Sequence, residues 1–255
     1  MLVDASSNDL VSVIMPSFNC ERYIRAAIDS VLAQTYGNLE LLICDDCSTD
    51  GSVAAIKELC LKDSRIRLFQ NVDNLGVAAS RNLCIQNSRG RYIAFIDSDD
   101  YWMPNKLETQ IEFMRLRGAV FSCTAYEKRN EDFSKLISVA MPYKVAGYNQ
   151  ILFSGNPIGN STVIYDCNSI GKYYAPDIKK RNDFALWLRI SRDGHKAYGM
   201  PEVLARYRMR RNSLSADKRK LLAYQWRLYH DVESIGFLKS TLAILSWAII
   251  KTFKR

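Results

Sequence analysis

The sequence predicts an α/β fold with a mostly parallel sheet covered by helices on both faces. Short apolar segments alternate with segments whose apolar residues recur at helical spacing throughout the N-terminal half. The links between these segments are short, which favours parallel strands joined by crossover helices. Three of the predicted strands end in polar residues, and ligands bind at the carboxyl ends of strands in such sheets. The fold class therefore also predicts where a binding site lies.

The predicted elements follow one another along the N-terminal half of the chain. Strands are expected in four short, mostly apolar runs: residues 11–15, 39–44, 66–69 and 92–96. Helices are expected at residues 21–34, 52–61 and 76–87, and after Pro104, which suits a first helical position. Asp50 or Ser48 is the expected N-cap of the second helix.

From about residue 118 this alternation ends. Strands are expected at 120–126 and 161–165, separated by polar loops that contain glycine, and a helix is expected at 182–190. An amphipathic helix at 216–235 and an apolar one at 238–250 follow. No repeat or low-complexity linker marks a boundary before about residue 213. The predicted organisation is thus one domain over residues 1–215 and a C-terminal helical segment over residues 216–255.

Charge is concentrated near the C-terminus. The formal net charge is +8, and residues 206–227 carry eight basic side chains against one acidic side chain. Such a segment implies an anionic partner such as phosphate, nucleic acid or anionic lipid. Residues 238–250 are too few to span a bilayer, but their basic flanks and Trp247 suit a helix in the membrane interface. The alternative is docking on the domain or on a second subunit.

Cysteine usage and the N-terminus bear on the compartment. The seven cysteines are scattered and only two histidines accompany them, so buried free thiols in a reducing cytoplasm are expected. Residues 1–10 are polar and lack the apolar stretch of a signal peptide.

Asp97, Asp99 and Asp100 follow the predicted strand at 92–96 directly. Carboxylates crowded in this way raise one another's pKa and cost free energy unless a cation compensates them. A hard divalent cation prefers such oxygen ligands, and phosphate is a natural further ligand for it. This strand end therefore indicates diphosphate chemistry.

Four motifs occur in order, each at the end of a predicted strand or the start of a helix. They are the runs VSVIMPSFN at 11–19, DDCSTDGS at 45–52, NLGVAASRN at 74–82 and DSDD at 97–100. A lone Asp-x-Asp arises by chance in many proteins, but the ordered set is specific. It resembles the inverting family 2 glycosyltransferases of GT-A fold over residues 10 to about 215. Within that family the chain looks most like bacterial enzymes that build O-antigen, capsule or teichuronic acid polymers.

The resemblance implies roles for individual residues toward a UDP-sugar donor. Asp46 would accept a hydrogen bond from N3–H of uracil, Asp97 would bind the ribose, and Asp99 would ligate Mn²⁺ or Mg²⁺. Asp183 matches the general base that takes a proton from the acceptor hydroxyl. Arg81 either faces the donor pocket or forms a salt bridge on the helix surface. The base and ribose pocket would be lined by Pro16, Phe18 and Asn19.

The chain departs from the family pattern in two places. Basic residues precede Asp183 where relatives often carry acids, and Lys179, Lys180 and Arg181 are predicted to hold the acceptor's diphosphate. Arg210 stands where relatives often carry His, and an arginine cannot ligate a cation. The prediction is a metal site with Asp99 as the only protein ligand and with Arg210 or Arg211 supplying part of the positive charge.

The predicted function is transfer of glucose or galactose from a UDP-sugar to GlcNAc on undecaprenyl diphosphate, forming a β-linkage. This would occur peripherally, on the inner face of the bacterial cytoplasmic membrane, without nucleic acid, and assembly of copies through the C-terminal helix stays open. A haloacid dehalogenase-type phosphatase and a non-catalytic nucleotide-sugar binding module are the alternatives. No Gly-x-Gly-x-x-Gly or P-loop motif is present, which argues against NAD and P-loop nucleotides.

Overall fold

The computed structural model describes residues 9–154, 158–210 and 218–253. Its strands are β1 Val11–Ser17, β2 Leu39–Asp45, β3 Ile66–Gln70, β4 Tyr92–Phe95, β5 Tyr101–Trp102, β6 Phe121–Arg129, β7 Leu136–Ala140, β8 Val145–Ala146, β9 Ile164–Asp166 and β10 Ala197–Arg208. Its helices are α1 Glu21–Leu32, α2 Ser52–Cys60, α3 Val77–Asn87, α4 Lys106–Arg117, α5 Tyr148–Ser154, α6 Cys167–Ile170, α7 Asn182–Arg192, α8 Lys218–Arg227 and α9 Phe237–Phe253.

The described strands form one sheet in the order β3-β2-β1-β4-β9-β6-β10-β5, with β7 on β6 and β8 on β10. The first four strands in this order are parallel, as the alternating pattern predicted. Their side chains alternate between two apolar layers: Val13 and Met15 pack into one layer and Ile14 into the other. The register pairs Ser17 with Asp45, so β1 and β2 end at the same edge of the sheet.

The second half of the sheet differs from the prediction. The strand expected at 161–165 is confined to β9, and Asn160–Thr162 form a 3₁₀ turn before it. β10 was not predicted, because Pro201 and Glu202 interrupt its apolar pattern where its pairing with β6 shifts register. β5, β7, β8 and the helix α5 were also missed. The parallel half and the helix α7 are confirmed.

The C-terminal helices pack on the rest of the protein. Tyr229, in the π-helical turn Leu228–Val232, is buried against Phe184 of α7, with ring centroids 6.3 Å apart. Its hydroxyl donates to the carbonyl of Leu152 in α5 at 2.8 Å. Ala243 of α9 is fully buried in the same apolar layer. The segment that begins at α8 therefore contacts the helix that carries the predicted base.

Among the helices that the structure describes, none is long and apolar enough to cross a membrane.

Lys106, at the start of α4, is an unusual core residue. Its side chain is fully buried, and Nζ lies 3.8 Å from the centroid of the Trp102 ring. Nζ has no hydrogen-bond partner among the described residues, and burial lowers the pKa of this amine well below its usual range. The face of the Trp102 indole thus lies where a buried lysine normally has a carboxylate partner. The seven cysteines are all free, but only four of them are buried as expected; Cys47, Cys60 and Cys167 are partly exposed.

Candidate active site

The ends of β1, β2 and β4 lie side by side, since β1 pairs with both of the other strands in parallel. This brings Phe18, Asp46 and Asp97 to one edge of the sheet, as the motif positions predicted. Phe18 is 48% exposed, which is unusual for a phenylalanine and leaves its ring available to a planar ligand. Pro16 is buried within β1.

Asn19 stabilises the loop between β1 and α1. Its backbone adopts φ 45°, in the left-handed region that asparagine tolerates better than most residues. Its side-chain oxygen accepts a hydrogen bond from the backbone N–H of Thr49 at 2.9 Å. Its own backbone N–H donates to Ser48 Oγ at 2.9 Å. Asn19 therefore joins the β1 and β2 loops that form one wall of the cleft.

Asp46 is buried and its carboxylate is held by three donors. The backbone N–H groups of Leu75 and Gly76 donate to it at 3.0 and 2.8 Å, and Asn71 Nδ2 donates at 2.7 Å. Gly76 has φ 89°, a conformation that disfavours any side chain, so glycine is required where the chain turns into α3. The three donors fix the orientation of the carboxylate. A hydrogen bond from uracil to Asp46 stays a prediction.

Asp97 follows β4 and is a third exposed. Its Oδ1 accepts a hydrogen bond from Asn160 Nδ2 at 2.7 Å and lies 3.7 Å from Arg81. Desolvation raises the pKa of Asp97 to about 6, Asp99 and Asp183 act in the same direction, and Arg81 opposes them. Asp183 therefore lies close enough to act on Asp97 through its charge, although 86 positions separate them in the sequence.

Arg81 is buried, with only 3% of its side chain exposed, so it does not form a salt bridge on the helix surface. Besides contacting Asp97, its guanidinium donates to the side-chain oxygen of Asn182, the residue before Asp183. One buried cation thus connects the carboxylate predicted to bind the donor with the start of the helix that carries the predicted base.

Asp99 points to a different cation. Its Oδ2 lies 2.7 Å from Arg210 Nε, and its backbone carbonyl accepts from Arg208 Nε at 2.7 Å. Burial raises the pKa of the Asp99 carboxyl, and the two guanidinium groups oppose this effect. Arg210 also lies 5.4 Å from the centroid of the Tyr23 ring. The structure thus places Arg210 next to Asp99, and its role in compensating charge at a metal site stays a prediction; Arg211 lies outside the described residues.

The carboxylate of Asp100 accepts hydrogen bonds from two neighbouring segments of the fold. It is buried and accepts from the backbone N–H of Arg208 at 3.1 Å and from the hydroxyl of Ser161. Burial and the charges of Asp99 and Asp97 raise its pKa well above the usual range. In the structure it joins the end of β4 to β10 and to the 3₁₀ turn.

Asp183 lies in the first turn of α7, where the helix dipole favours a carboxylate. Arg181 precedes the helix with φ 68° and is largely buried near Asp183, and desolvation lowers its pKa. Arg181 Nε has no hydrogen-bond partner in the described part of the chain. Lys180 Nζ lies 5.8 Å from the ring centroid of Tyr224 on α8, and Lys179 is next to it in the sequence.

Sequence reasoning missed three residues that shape this site. Asn160 and Ser161 reach it from the 3₁₀ turn, where Ser161 Oγ also accepts from the backbone N–H of Asp97 at 3.1 Å. Arg208 fixes Asp99 and Asp100 from β10. A run of arginines spaced by two was visible at 206–210, but nothing in the sequence placed it on a strand beside the acidic motif.

A parallel sheet edge that gathers three carboxylates, with a further acid in the first turn of a helix, is suited to binding a nucleotide-sugar. Residues 12–173 match the model of glycosyl transferase family 2, and the chain belongs to this family. It is 38% identical over 239 residues to the putative teichuronic acid biosynthesis glycosyltransferase TuaG of Bacillus subtilis, covering 94% of each chain. It is 40% identical over 223 residues to the UDP-Glc:alpha-D-GlcNAc-diphosphoundecaprenol beta-1,3-glucosyltransferase WfgD of Escherichia coli, covering 87% of this chain and 86% of that protein.

Solved structures with this fold support the architecture. Residues 1–349 of Staphylococcus aureus TarS in complex with UDP-GlcNAc match with a TM-score of 0.71 at 19% identity, covering 94% of this chain and 71% of that one. The mannosyltransferase PcManGT of Pyrobaculum calidifontis, in complex with GDP-Man and Mn²⁺, matches with a TM-score of 0.63 at 17% identity, covering 96% and 74%. The chain has the GT-A fold, as predicted, and the phosphatase alternative does not hold.

Proposed function

We propose that the protein transfers glucose or galactose from a UDP-sugar to GlcNAc on undecaprenyl diphosphate, forming a β-linkage during surface polysaccharide synthesis. The observation that carries this proposal is that Asp99 and Asp183 lie close enough to act on Asp97 through their charges, with Arg81 next to Asp97 and Arg210 next to Asp99. The names of the relatives TuaG and WfgD support the acceptor class and the biosynthetic setting.

The proposed reaction is a single displacement. Asp183 takes the proton from an acceptor hydroxyl, whose oxygen attacks the anomeric carbon on the face opposite the departing UDP. One bond forms as the bond to the diphosphate breaks, so the configuration inverts from α to β. Arg210 lies next to Asp99, where we place the diphosphate. Its guanidinium would pair with the negative charge that develops on the leaving group.

Asp99 is the protein ligand that we propose for Mn²⁺ or Mg²⁺. A carboxylate oxygen suits either hard cation, and the described residues contain no group of three or more acidic, cysteine or histidine side chains that would form a complete metal cage. The donor's phosphates and water would therefore complete the coordination. When bound, the ion neutralises charge on the diphosphate. Asp99 Oδ2 would first have to exchange Arg210 for the ion.

The acceptor side of the proposal rests on the loop before α7. Arg181 is largely buried and its Nε lacks a hydrogen-bond partner among the described residues, which suits an anionic ligand beside Asp183. We assign the acceptor's diphosphate to Lys179, Lys180 and Arg181. We also propose that the protein acts peripherally at the inner face of the cytoplasmic membrane, with its basic C-terminal region toward anionic lipid. The alternative to contact with lipid is that α9 forms an interface between two copies of the protein.

The experiment that tests this function is a panel of UDP-sugars offered with a synthetic GlcNAc-diphosphate-lipid, with and without EDTA. We expect transfer from UDP-glucose or UDP-galactose, β-linkage in the product by NMR, and loss of transfer when EDTA removes the metal. Hydrolysis of UDP-sugar without transfer would contradict the acceptor assignment. Donor binding with neither reaction would favour the non-catalytic binding module.

A further inference from the structure

The helices α8 and α9 form the two sides of an open, shallow apolar groove. Its volume is ≈ 430 Å³, within the range of about 300–1,000 Å³ that ligand clefts usually have. Leu222 and Leu245 on its rim are 44% and 53% exposed. Such a concave apolar surface is costly to leave in water. The groove is lined by Leu222, Ala223, Trp226, Thr241, Ile244 and Leu245.

The groove shares α8 with the basic loop of the active site. Lys180 Nζ lies 5.8 Å from the ring centroid of Tyr224, which follows the groove residue Ala223 directly. Next along the loop, Arg181 is largely buried near Asp183. The cationic loop and the apolar groove thus both contact α8, and a helix is about 10–12 Å wide.

We propose that the groove binds the first isoprene units of the acceptor's polyprenyl chain, which deepens the proposed function and rests on it. A ligand with an anionic head and an apolar tail matches both features: its diphosphate lies at Lys180 and Arg181, and its chain crosses α8 into the groove. Binding the chain here holds the acceptor's sugar toward Asp183.

The test compares two soluble acceptors, GlcNAc-diphosphate carrying a farnesyl or a methyl group, without vesicles or detergent. We expect the parent protein to show a KM at least about tenfold lower for the farnesyl acceptor, because burial of several methylenes favours it. Leu245→Gln and Ala223→Trp should reduce that ratio to below about threefold. Leu242→Gln is the matched control, since Leu242 is 52% exposed on α9 but does not line the groove.

Calorimetric titration with farnesyl diphosphate and methyl diphosphate tests the same site without transfer. If no acceptor is glycosylated, the proposed function fails while the titration still decides on the groove. Equal KM values or equal affinities for the two chains in the parent protein would overturn the inference. Equal losses in Leu242→Gln and Leu245→Gln would do the same, because they would indicate a general apolar surface. A change of oligomeric mass in Leu245→Gln would instead assign the groove to a second copy.

Discussion

Replacing Arg210 with methionine removes the guanidinium that lies 2.7 Å from Asp99 Oδ2 and keeps an apolar stem of similar length. If Asp99 is the metal ligand, this arginine competes with the ion in the protein without nucleotide. We therefore expect Arg210→Met to bind Mn²⁺ more tightly than the parent protein when no donor is present.

The size of this effect follows from the burial of the pair. The side chains of Arg210 and Asp99 are 31% and 16% exposed, which places the pair between a surface and a buried salt bridge. An ion pair of this kind contributes about 1–2 kcal/mol, and each 1.4 kcal/mol changes an equilibrium constant tenfold. The expected gain in Mn²⁺ affinity is about 5- to 30-fold.

Electron paramagnetic resonance of free Mn²⁺ measures this affinity directly. Arg206→Met is the matched control, because Arg206 is 30% exposed and pairs with Glu127 at 3.2 Å on the neighbouring strand. It removes the same charge without touching Asp99 and should change the affinity by less than about twofold. An unchanged or weaker Mn²⁺ affinity in Arg210→Met, or an equal gain in the control, would refute the competition between Arg210 and the ion.

Two further substitutions test the core and the cleft. Lys106→Met should raise the free energy of unfolding at pH 7 by about 1–3 kcal/mol, because the buried amine must lose its hydration or its proton. Because the pKa of Lys106 is lowered, the folded state binds fewer protons than the unfolded state, and the parent protein gains stability as pH rises. In chemical denaturation, the advantage of the variant should therefore shrink toward pH 10. The exposed control Lys57→Met should change stability by less than about 0.5 kcal/mol, and a destabilised Lys106→Met would contradict the reasoning. Arg81→Met should raise the donor KM about tenfold or more in steady-state kinetics, because Asp97 loses the cation at 3.7 Å. The exposed Arg89→Met should leave that KM unchanged, and an unaltered KM in Arg81→Met would exclude a role for Arg81 in donor binding.

The parallel half of the fold could be predicted from the sequence because β1, β2 and β4 are buried on both faces and consist of short, mostly apolar runs. The carboxyl ends of such strands meet at one edge, so the order of strands and helices along the chain was enough to place the acidic motifs together. Asp46 and Asp97 lie at that edge as expected. Their contacts with uracil and ribose stay predictions, since they depend on a bound nucleotide.

The rest of the site depends on contacts between distant segments that leave no periodic pattern. Ser161 belongs to a 3₁₀ turn where a strand was expected, and this turn brings it to Asp97 and Asp100. Arg208 reaches the acidic motif from β10, whose bulges hide its strand character. The burial of Arg81 follows from its packing against Asn182, 101 positions away. Sequence spacing alone could not distinguish this arginine from one on a helix surface.

The measurement that tests the central claim most directly is single-turnover transfer by Asp183→Asn. The amide keeps the shape of the side chain at the start of α7 but cannot take the acceptor's proton. We expect the rate of transfer from UDP-glucose or UDP-galactose, whichever the parent protein uses, to fall about 10²- to 10⁴-fold, with UDP affinity changed less than about threefold. Transfer at the parent rate would show that Asp183 is not the general base and would contradict the mechanism proposed for this site.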